Sequence, residues 1–361
     1  LMTSLPDGVE FRRLHIPASI DDDDAADFRE MTRVRNLVYA EISGHDDHSM
    51  PADELLPNFQ PDPAQVRLSW LVLLDGEAVG RIGLDLPQED GARSGYWLVE
   101  LLRSVWGRGI GRAGYALVEQ TAREHGRTVL QSWAEHPAAD GPHLEAPTGF
   151  GSVPHDHIAR YFLASGHALE QVERNSALDL TTAEPRLRAL LAEAESASAG
   201  YRVVQWVLPT PDEFVDGMAL MKERMVTDAP AAGLEFDEEK WDADRVRRYE
   251  RTYLDAGRLL LVTAAQHIDS GDLVAFNELA IGKDRTAATS QHDTLVVGTH
   301  RGHRLGMLVK CAGLLAWRDI APASPRVLTY NAEENRPMLS INEAIGFAPV
   351  AYEGAWKKVL D

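Results

Sequence analysis

The sequence has little cysteine and no long hydrophobic runs, and these shortages exclude several classes of protein. Cys311 is the only cysteine among 361 residues, so an internal disulfide framework and a cysteine-rich metal site are both excluded. No segment approaches the roughly 18 consecutive apolar residues that a membrane-spanning helix needs. Cys311 lies in an apolar, helix-like segment and is predicted to be a buried small hydrophobe, which fits a reducing cytoplasm.

Basic residues are also scarce relative to acidic ones. Lys and Arg number 36 against 56 Asp and Glu, which gives a formal net charge of −20. Such a surface repels nucleic-acid phosphates and anionic lipids, so we expect neither nucleic acid nor membrane as a partner. It attracts cationic or amine substrates at long range. The length itself fits two domains of about 150 residues each.

Three short segments recur in the same order in the two halves of the chain. The matching pairs are 106–111 with 301–306, 128–135 with 326–333, and 163–168 with 343–348. One matching hexapeptide would be chance, whereas three in order predict a duplicated domain. We therefore predict an N-terminal domain over residues 1–182, a linker helix over 183–200, and a C-terminal domain over 201–361. They are called the first copy and the second copy below.

Each copy has the same predicted order of strands and helices. A strand and helices precede a hairpin, and the next strand enters a glycine-containing turn followed by a helix. Because the early strands pair as a hairpin, the predicted class is α/β of the α+β type. Each domain should hold a mixed, mostly antiparallel twisted sheet with helices on both faces. An insertion near residues 136–154 is predicted to be a loop, either a lid over the site or a passive excursion.

The glycine-containing turn is suited to holding a phosphate. Glycines allow a tight turn, and the free amides of the following helix, with its dipole, attract an anion. The spacing of Gly107, Gly109 and Gly111 does not fit a dinucleotide-binding fingerprint, and a Walker loop is absent.

These turns resemble the signature [RQ]-x-x-G-x-[GA] of the GNAT acetyltransferase superfamily. The first copy has Trp-Gly-Arg-Gly-Ile-Gly, with Trp106 at the Arg/Gln position, although the overlapping register 108–113 satisfies the pattern. The second copy has Arg-Gly-His-Arg-Leu-Gly, with Arg301 in place but Arg304 at the middle glycine. A side chain fits there if the local φ is negative, and the Arg304 guanidinium is itself suited to bind a phosphate.

The resemblance implies that acetyl-CoA binds between two splayed parallel strands, with its pyrophosphate on the turn amides and its pantetheine arm along the fourth strand. It implies cofactor-binding residues in both copies. They are Val99, Glu100, Leu101, Gly107, Arg108, Gly109, Ile110, Gly111, Arg112, Thr294, Leu295, Val296, Arg301, Gly302, His303, Arg304, Leu305, Gly306, Met307, Asn331 and Asn335.

The implied reaction is direct acyl transfer from acetyl-CoA to a small polar or cationic amine, which needs a general base. A carboxylate on an apolar strand usually faces a cavity or pairs with a base, because burying it unpaired is costly. Glu278 and Asp293 are such carboxylates and are therefore candidate catalytic residues. The alternative is that they only form structural hydrogen bonds. Tyr330 lies at the end of the fifth strand. Asn342 stands at the position where many members of this family have a Tyr that acts as the general acid. These four are the predicted catalytic residues, and they make the second copy the predicted catalytic half.

Two other functions stay open at this point. One is a catalytically degenerate protein that binds acyl-CoA for regulation, and the other is an N-acetyltransferase for proteins or peptides. We expect a monomer or homodimer and no metal site, since His45 and His48 lie on a loop without a rigid frame. Glu135 and Glu333 are expected to be exposed acids at strand ends.

Overall fold

A computed structural model describes residues 5–361. In it the chain forms two compact units. Unit 1 contains the described part of Leu1–Glu173 together with Ala231–Asp237 and Ala351–Asp361. Unit 2 contains Arg174–Pro230 and Glu238–Val350. The units do not follow the order of the chain, because unit 1 takes two segments from the second copy. The predicted domain bounds stay a prediction.

The first copy alternates strands and helices in the predicted order. Its elements are β1 (Val9–Arg13), α1 (Ala26–Ser43), α2 (Ala52–Leu55), β2 (Gln65–Leu74), β3 (Glu77–Pro87), β4 (Ser94–Leu101), α3 (Ile110–Glu124), β5 (Val129–His136), β6 (His143–Glu145), β7 (Ser152–Pro154), α4 (His157–Ala164) and β8 (Ala168–Asp179). The insertion near residues 136–154 is not the loop we expected, since β6 and β7 pair as a small antiparallel hairpin.

The second copy repeats that order. After the linker helix α5 (Glu184–Ala197), its elements are β9 (Tyr201–Val207), α6 (Asp212–Asp228), α7 (Ala243–Asp255), β10 (Leu259–His267), β11 (Leu273–Ile281), β12 (Thr289–Val296), α8 (Leu305–Ile320), β13 (Arg326–Ala332), α9 (Arg336–Ile345) and β14 (Ala348–Val359). The segment predicted as a linker helix forms α5, which packs on α8 inside unit 2 through the buried Leu187 and Ala194.

The strand order is β1-β2-β3-β4-β5-β14 in unit 1 and β8-β13-β12-β11-β10-β9 in unit 2. The pairs β4–β5 and β12–β13 are parallel, whereas the hairpins β2–β3 and β10–β11 are antiparallel. The predicted mixed, mostly antiparallel sheet with a parallel strand pair is therefore confirmed.

Side chains that alternate along the strands build a hydrophobic core on each face of the sheet. In unit 1, Trp70 packs with α3 and α4, whereas the neighbouring Leu71 packs with α1. In unit 2, Leu261 packs with α5 and α8, whereas Val262 packs with α6 and α7. This alternation explains why the strands have apolar residues at consecutive positions. Among residues 5–361, no helix has the length and apolar character that a membrane crossing requires.

Candidate functional site

The parallel strands of each unit pair over a short stretch and then part. Strands β4 and β5 pair from Ser94↔Val129 to Tyr96↔Gln131, although both strands continue beyond that point. Strands β12 and β13 pair from Thr289↔Val327 to Gln291↔Thr329 and then part in the same way. Each unit therefore contains a cleft between diverging strands. The predicted residues Val99, Glu100, Leu101, Thr294, Leu295 and Val296 lie beyond the last pair.

The turn after β4 has the open, left-handed geometry that an anion-binding site needs. Gly107 and Gly109 have φ values of 77° and 83°, and α3 begins at the next residue, Ile110. A Cβ added to Gly107 would meet no heavy atom within 4 Å. Arg108 and Arg112 are exposed beside this turn. The first helical amides and two guanidinium groups therefore face open space, as binding of a diphosphate requires.

The turn after β12 is similar but carries its own carboxylate. Gly302 has φ 89° with no heavy atom within 4 Å of an added Cβ. Arg304 has φ 57°, so the negative φ under which a side chain would fit easily at this position is not met. Its Nη1 lies 3.1 Å from Glu193 Oε2, and both side chains are exposed. A phosphate at this turn would compete with Glu193 for Arg304.

The residue at the Arg/Gln position of each turn makes the same contact. Trp106 Nε1 donates to the carbonyl of Leu101 at 2.9 Å, and Arg301 Nε donates to the carbonyl of Val296 at 3.3 Å. Both carbonyls belong to the last residue of the preceding strand. Trp106 therefore supplies in the first copy the N–H donor that Arg301 supplies in the second.

The two turns can be tested separately. Gly107→Val and Gly302→Val should each weaken CoA binding by about tenfold or more at the turn they alter, because the side chain would stand where the diphosphate lies. Isothermal calorimetry with CoA measures both affinities. Gly91→Val and Gly271→Val are matched controls, since both glycines have φ 78° and open space around an added Cβ. Equal losses in controls and turn variants would contradict a phosphate site.

Unit 2 contains a buried cluster of charges formed by Lys222, Glu278 and Asp293. Lys222 Nζ on α6 lies 2.8 Å from the Glu278 carboxylate on β11 and 2.9 Å from Asp293 Oδ2 on β12. The Tyr249 hydroxyl on α7 donates to Glu278 at 3.2 Å. The Lys222 and Glu278 side chains are 6% and 1% exposed, whereas that of Asp293 is 37% exposed. Asp293 is thus the carboxylate of the cluster that solvent and substrate can reach.

A register shift places Asp293 in this position. Asn277 pairs with Thr294 but Leu279 pairs with Gln291, so Glu278 alone lies opposite both His292 and Asp293. The extra residue in β12 is a β-bulge, which re-aims side chains locally. Strands β3 and β4 pair without any shift from Gly80↔Leu101 to Asp85↔Tyr96. The bulge therefore distinguishes the second copy from the first.

The shared lysine sets the ionisation of the cluster. Burial opposes ionisation of Asp293, but attraction to Lys222 outweighs it and lowers the pKa of Asp293. For Glu278 the burial is stronger than the attraction of Lys222, and its pKa is raised. Burial alone would lower the pKa of Lys222, but both carboxylates raise it instead. At neutral pH, Asp293 is therefore ionised and accessible, and it can attract an ammonium group.

The carboxylate on β4 of unit 1 is fully engaged. Glu100 on β4 accepts from Arg81 Nε at 2.6 Å and from the Tyr39 hydroxyl at 2.8 Å. Burial opposes ionisation of Glu100, but Arg81 outweighs it and the pKa of Glu100 is lowered. Both oxygens of this carboxylate have strong donors, so Glu100 is poorly placed to receive a proton from a substrate.

A second polar cluster lies on the opposite face of β12 and β13, beside α8 and α9. Lys310 is completely buried, and its Nζ donates to Asn342 Oδ1 at 2.5 Å. Asn342 Nδ2 in turn donates to Asn331 Oδ1 at 2.7 Å. Burial lowers the pKa of Lys310 to about 7. Asn331 is half-buried and lies two residues beyond Thr329, the last paired residue of β13.

Several other predicted residues have structural contacts. The Tyr330 hydroxyl accepts from Asn175 Nδ2 at 3.1 Å, and Asn335 caps α9 by accepting from the Met338 amide. The His303 ring lies against Tyr201 with centroids 5.2 Å apart. Leu305, Gly306 and Met307 are buried and can offer a ligand only their amides.

Two expected exposed acids are not at the surface. Glu333 is buried and forms an ion pair with Arg174, so our expectation of an exposed strand-end acid is wrong. Glu135 is half-buried, and burial raises its pKa. Among the residues that the structure describes, no group of acids, histidines and cysteine could hold a metal ion. Cys311 is buried and free, as predicted.

Sequence reasoning missed Lys222, Tyr249 and Lys310. The signal for the lysines was present, because each occupies an apolar helix face. Lys222 continues the buried positions Val215, Met218 and Ala219 of α6 at helical spacing. A lysine on such a face must have a partner or give up its charge.

These features together fit an acyl-CoA. The open glycine turns suit its diphosphate, and the parting strands leave room for an extended arm beside the main chain of β4 or β12. In unit 1 the matching residues are Val99 to Leu101 followed by the turn at Gly107. In unit 2 they are Thr294 to Val296 followed by the turn at Gly302.

Comparison with known proteins shows what the chain is similar to. Residues 31–141 match the family model described as the acetyltransferase (GNAT) family. A tandem GNAT protein from the clavulanic acid biosynthesis pathway has a TM-score of 0.74 and 26% identity, with 97% of this chain and 98% of that chain covered. No curated protein resembles the sequence closely enough to count as a match.

More distant structures share the fold alone. A GCN5-related N-acetyltransferase from Sphaerobacter thermophilus has a TM-score of 0.63 and 15% identity, covering 99% of this chain and 97% of that chain. The Saccharomyces cerevisiae N-myristoyltransferase, solved with myristoyl-CoA, has a TM-score of 0.57 and 10% identity, covering 100% and 83%.

Residues 31–141 therefore match the GNAT family, and the fold of the whole chain is similar to that of a tandem GNAT protein. The resemblance stated from the sequence is confirmed.

Proposed function

We propose that the chain is an acetyl-CoA-dependent N-acetyltransferase that acts on a small polar or cationic amine, with catalysis in the second copy. The observation that carries this proposal is the position of Asp293, an ionised and accessible carboxylate beside the parting of β12 and β13. The net charge of −20 favours the approach of a cationic acceptor. The first copy, with its engaged Glu100, binds acyl-CoA without turnover.

The chain's own residues account for the proposed chemistry at the acceptor. Bound acetyl-CoA would supply an activated acyl group, with the thiol as leaving group. Asp293 attracts the substrate ammonium, and after that group has lost one proton to solvent, Asp293 accepts the second proton, which the nitrogen releases as it attacks. Lys222 keeps Asp293 ionised and neutralises the buried Glu278. A cytoplasmic protein that acts as a monomer or homodimer on a metabolite is the setting we propose.

Two measurements test this proposal on the full chain. Calorimetry with acetyl-CoA should find binding, and a thiol-release assay over a panel of small cationic amines should find turnover with at least one of them. An unreactive panel of small amines together with turnover of peptide N-termini would instead identify a protein N-acetyltransferase. Binding with no thiol release from any amine or peptide would identify a regulatory acyl-CoA-binding protein.

A further inference from the structure

Lys310 has a chemical environment that needs an explanation. The apolar residues Met307, Leu308, Val309 and Cys311 surround it along α8, and all of them are buried. Among residues 5–361, the hydrogen-bond partner of its Nζ is the neutral amide of Asn342, and no carboxylate pairs with it. An amine buried without a counter-charge is costly, and a leucine would pack there at no such cost. The amine must therefore serve something other than stability.

The hydrogen bonds show what Lys310 can do. Lysine offers only donors when it is protonated, so the Asn342 amide must turn its oxygen towards Lys310. Asn342 then has its Nδ2 free to donate to Asn331 Oδ1, as observed at 2.7 Å. Asn331 is thereby fixed with its oxygen towards the interior and its amide NH2 towards the other side. Asn331 lies beyond the last β12–β13 pair, where the two strands diverge.

We propose that Lys310 is a positioning residue that orients Asn342, and through it Asn331, so that Asn331 presents an N–H donor to the carbonyl oxygen of an acyl thioester in the cleft of unit 2. This inference rests on the proposed function, since it assumes that an acyl-CoA binds there. In this role Lys310 does not touch the acyl-CoA itself but acts through its hydrogen bond to Asn342.

The test compares the affinities of acetyl-CoA and CoA, because only acetyl-CoA carries the carbonyl. All variants carry Gly107→Val, so that calorimetry reports the second copy. Without further change, acetyl-CoA should bind more tightly than CoA by about three- to tenfold, as one added hydrogen bond predicts. Lys310→Met should remove that preference while CoA affinity stays the same.

A second variant keeps the inference testable if Lys310→Met fails to fold. Asn342→Asp gives Lys310 a carboxylate partner, which relieves the buried amine and protects the fold. An ionised carboxylate cannot donate, so Asn331 must turn its NH2 inward and present its oxygen to the cleft. The preference for acetyl-CoA should therefore vanish or reverse in a stable protein. Asn58→Asp, the same change at an exposed position, is the matched control.

The outcomes separate the inference from the proposed function. If neither CoA nor acetyl-CoA binds the second copy, the proposed function fails at that site and the inference with it. If both bind but the ratio of affinities is the same in Asn342→Asp and in the control, the proposed function stands and the role of Lys310 is overturned.

Discussion

Asp293→Asn should lower kcat/KM for acyl transfer by about 10²- to 10⁴-fold, the range expected when a general base is removed. The substitution keeps the size of the side chain and leaves the Lys222–Glu278 ion pair intact. The affinity for acetyl-CoA should stay the same, because Asp293 lies with Lys222 and Glu278 in the cluster beside α6 and not at the glycine turn. Thiol release under saturating acetyl-CoA measures the loss.

The control for this prediction is Asp269→Asn, the same chemical change at an exposed position in the turn between β10 and β11. It should leave kcat/KM at the wild-type value. An Asp293→Asn enzyme as active as this control would show that the proton leaves the amine by another route. Glu100 of unit 1, although both its oxygens accept hydrogen bonds, would then be as good a candidate for the general base as Asp293.

Lys222→Met should lower the free energy of unfolding of unit 2 by about 3–5 kcal/mol at pH 8, because it leaves Glu278 buried without its cation. The loss should shrink towards pH 5. Burial already raises the pKa of Glu278, and without Lys222 that carboxyl takes up a proton still more readily, which removes the buried charge. Denaturant titrations at both pH values measure the difference.

A second substitution distinguishes the lost ion pair from lost packing. Lys222→Met combined with Glu278→Leu should recover most of the stability, because an apolar pair of similar volume can replace a buried ion pair. Lys240→Met changes an exposed lysine and should have almost no effect. A single Lys222 variant as stable as that control would mean that the cluster is not a structural unit.

Local patterns predicted most of the fold. The apolar spacing of residues 25–42 predicts a helix, which is α1 at Ala26–Ser43. The Asp75-Gly76 pair predicts the hairpin turn that joins β2 to β3. These features depend on periodicity and turn chemistry within a short window of sequence. The β6–β7 hairpin was missed because its strands are very short and rich in turn-forming residues.

The candidate site was only partly predictable, because its contacts join distant parts of the chain. Glu278 and Asp293 were singled out as carboxylates on apolar strands, but the lysine between them lies on α6. The bulge that exposes Asp293 follows from the pairing register of β11 and β12, which the residue types alone do not specify. Asn342 was noted as a departure from the family, whereas its partner Lys310 was hidden in an apolar helix.

The membership of residues 351–361 in unit 1 has a consequence for synthesis on the ribosome. Strand β14 pairs with β5 from Tyr352↔His136 to Val359↔Val129, so the sheet of unit 1 stays incomplete until β14 has been translated. Until then one edge of β5 exposes main-chain N–H and C=O groups without hydrogen-bond partners, and these groups can pair with a wrong strand. A gene cut between the two copies would release a first half with this same open edge, so the duplication is no longer divisible into two independent proteins.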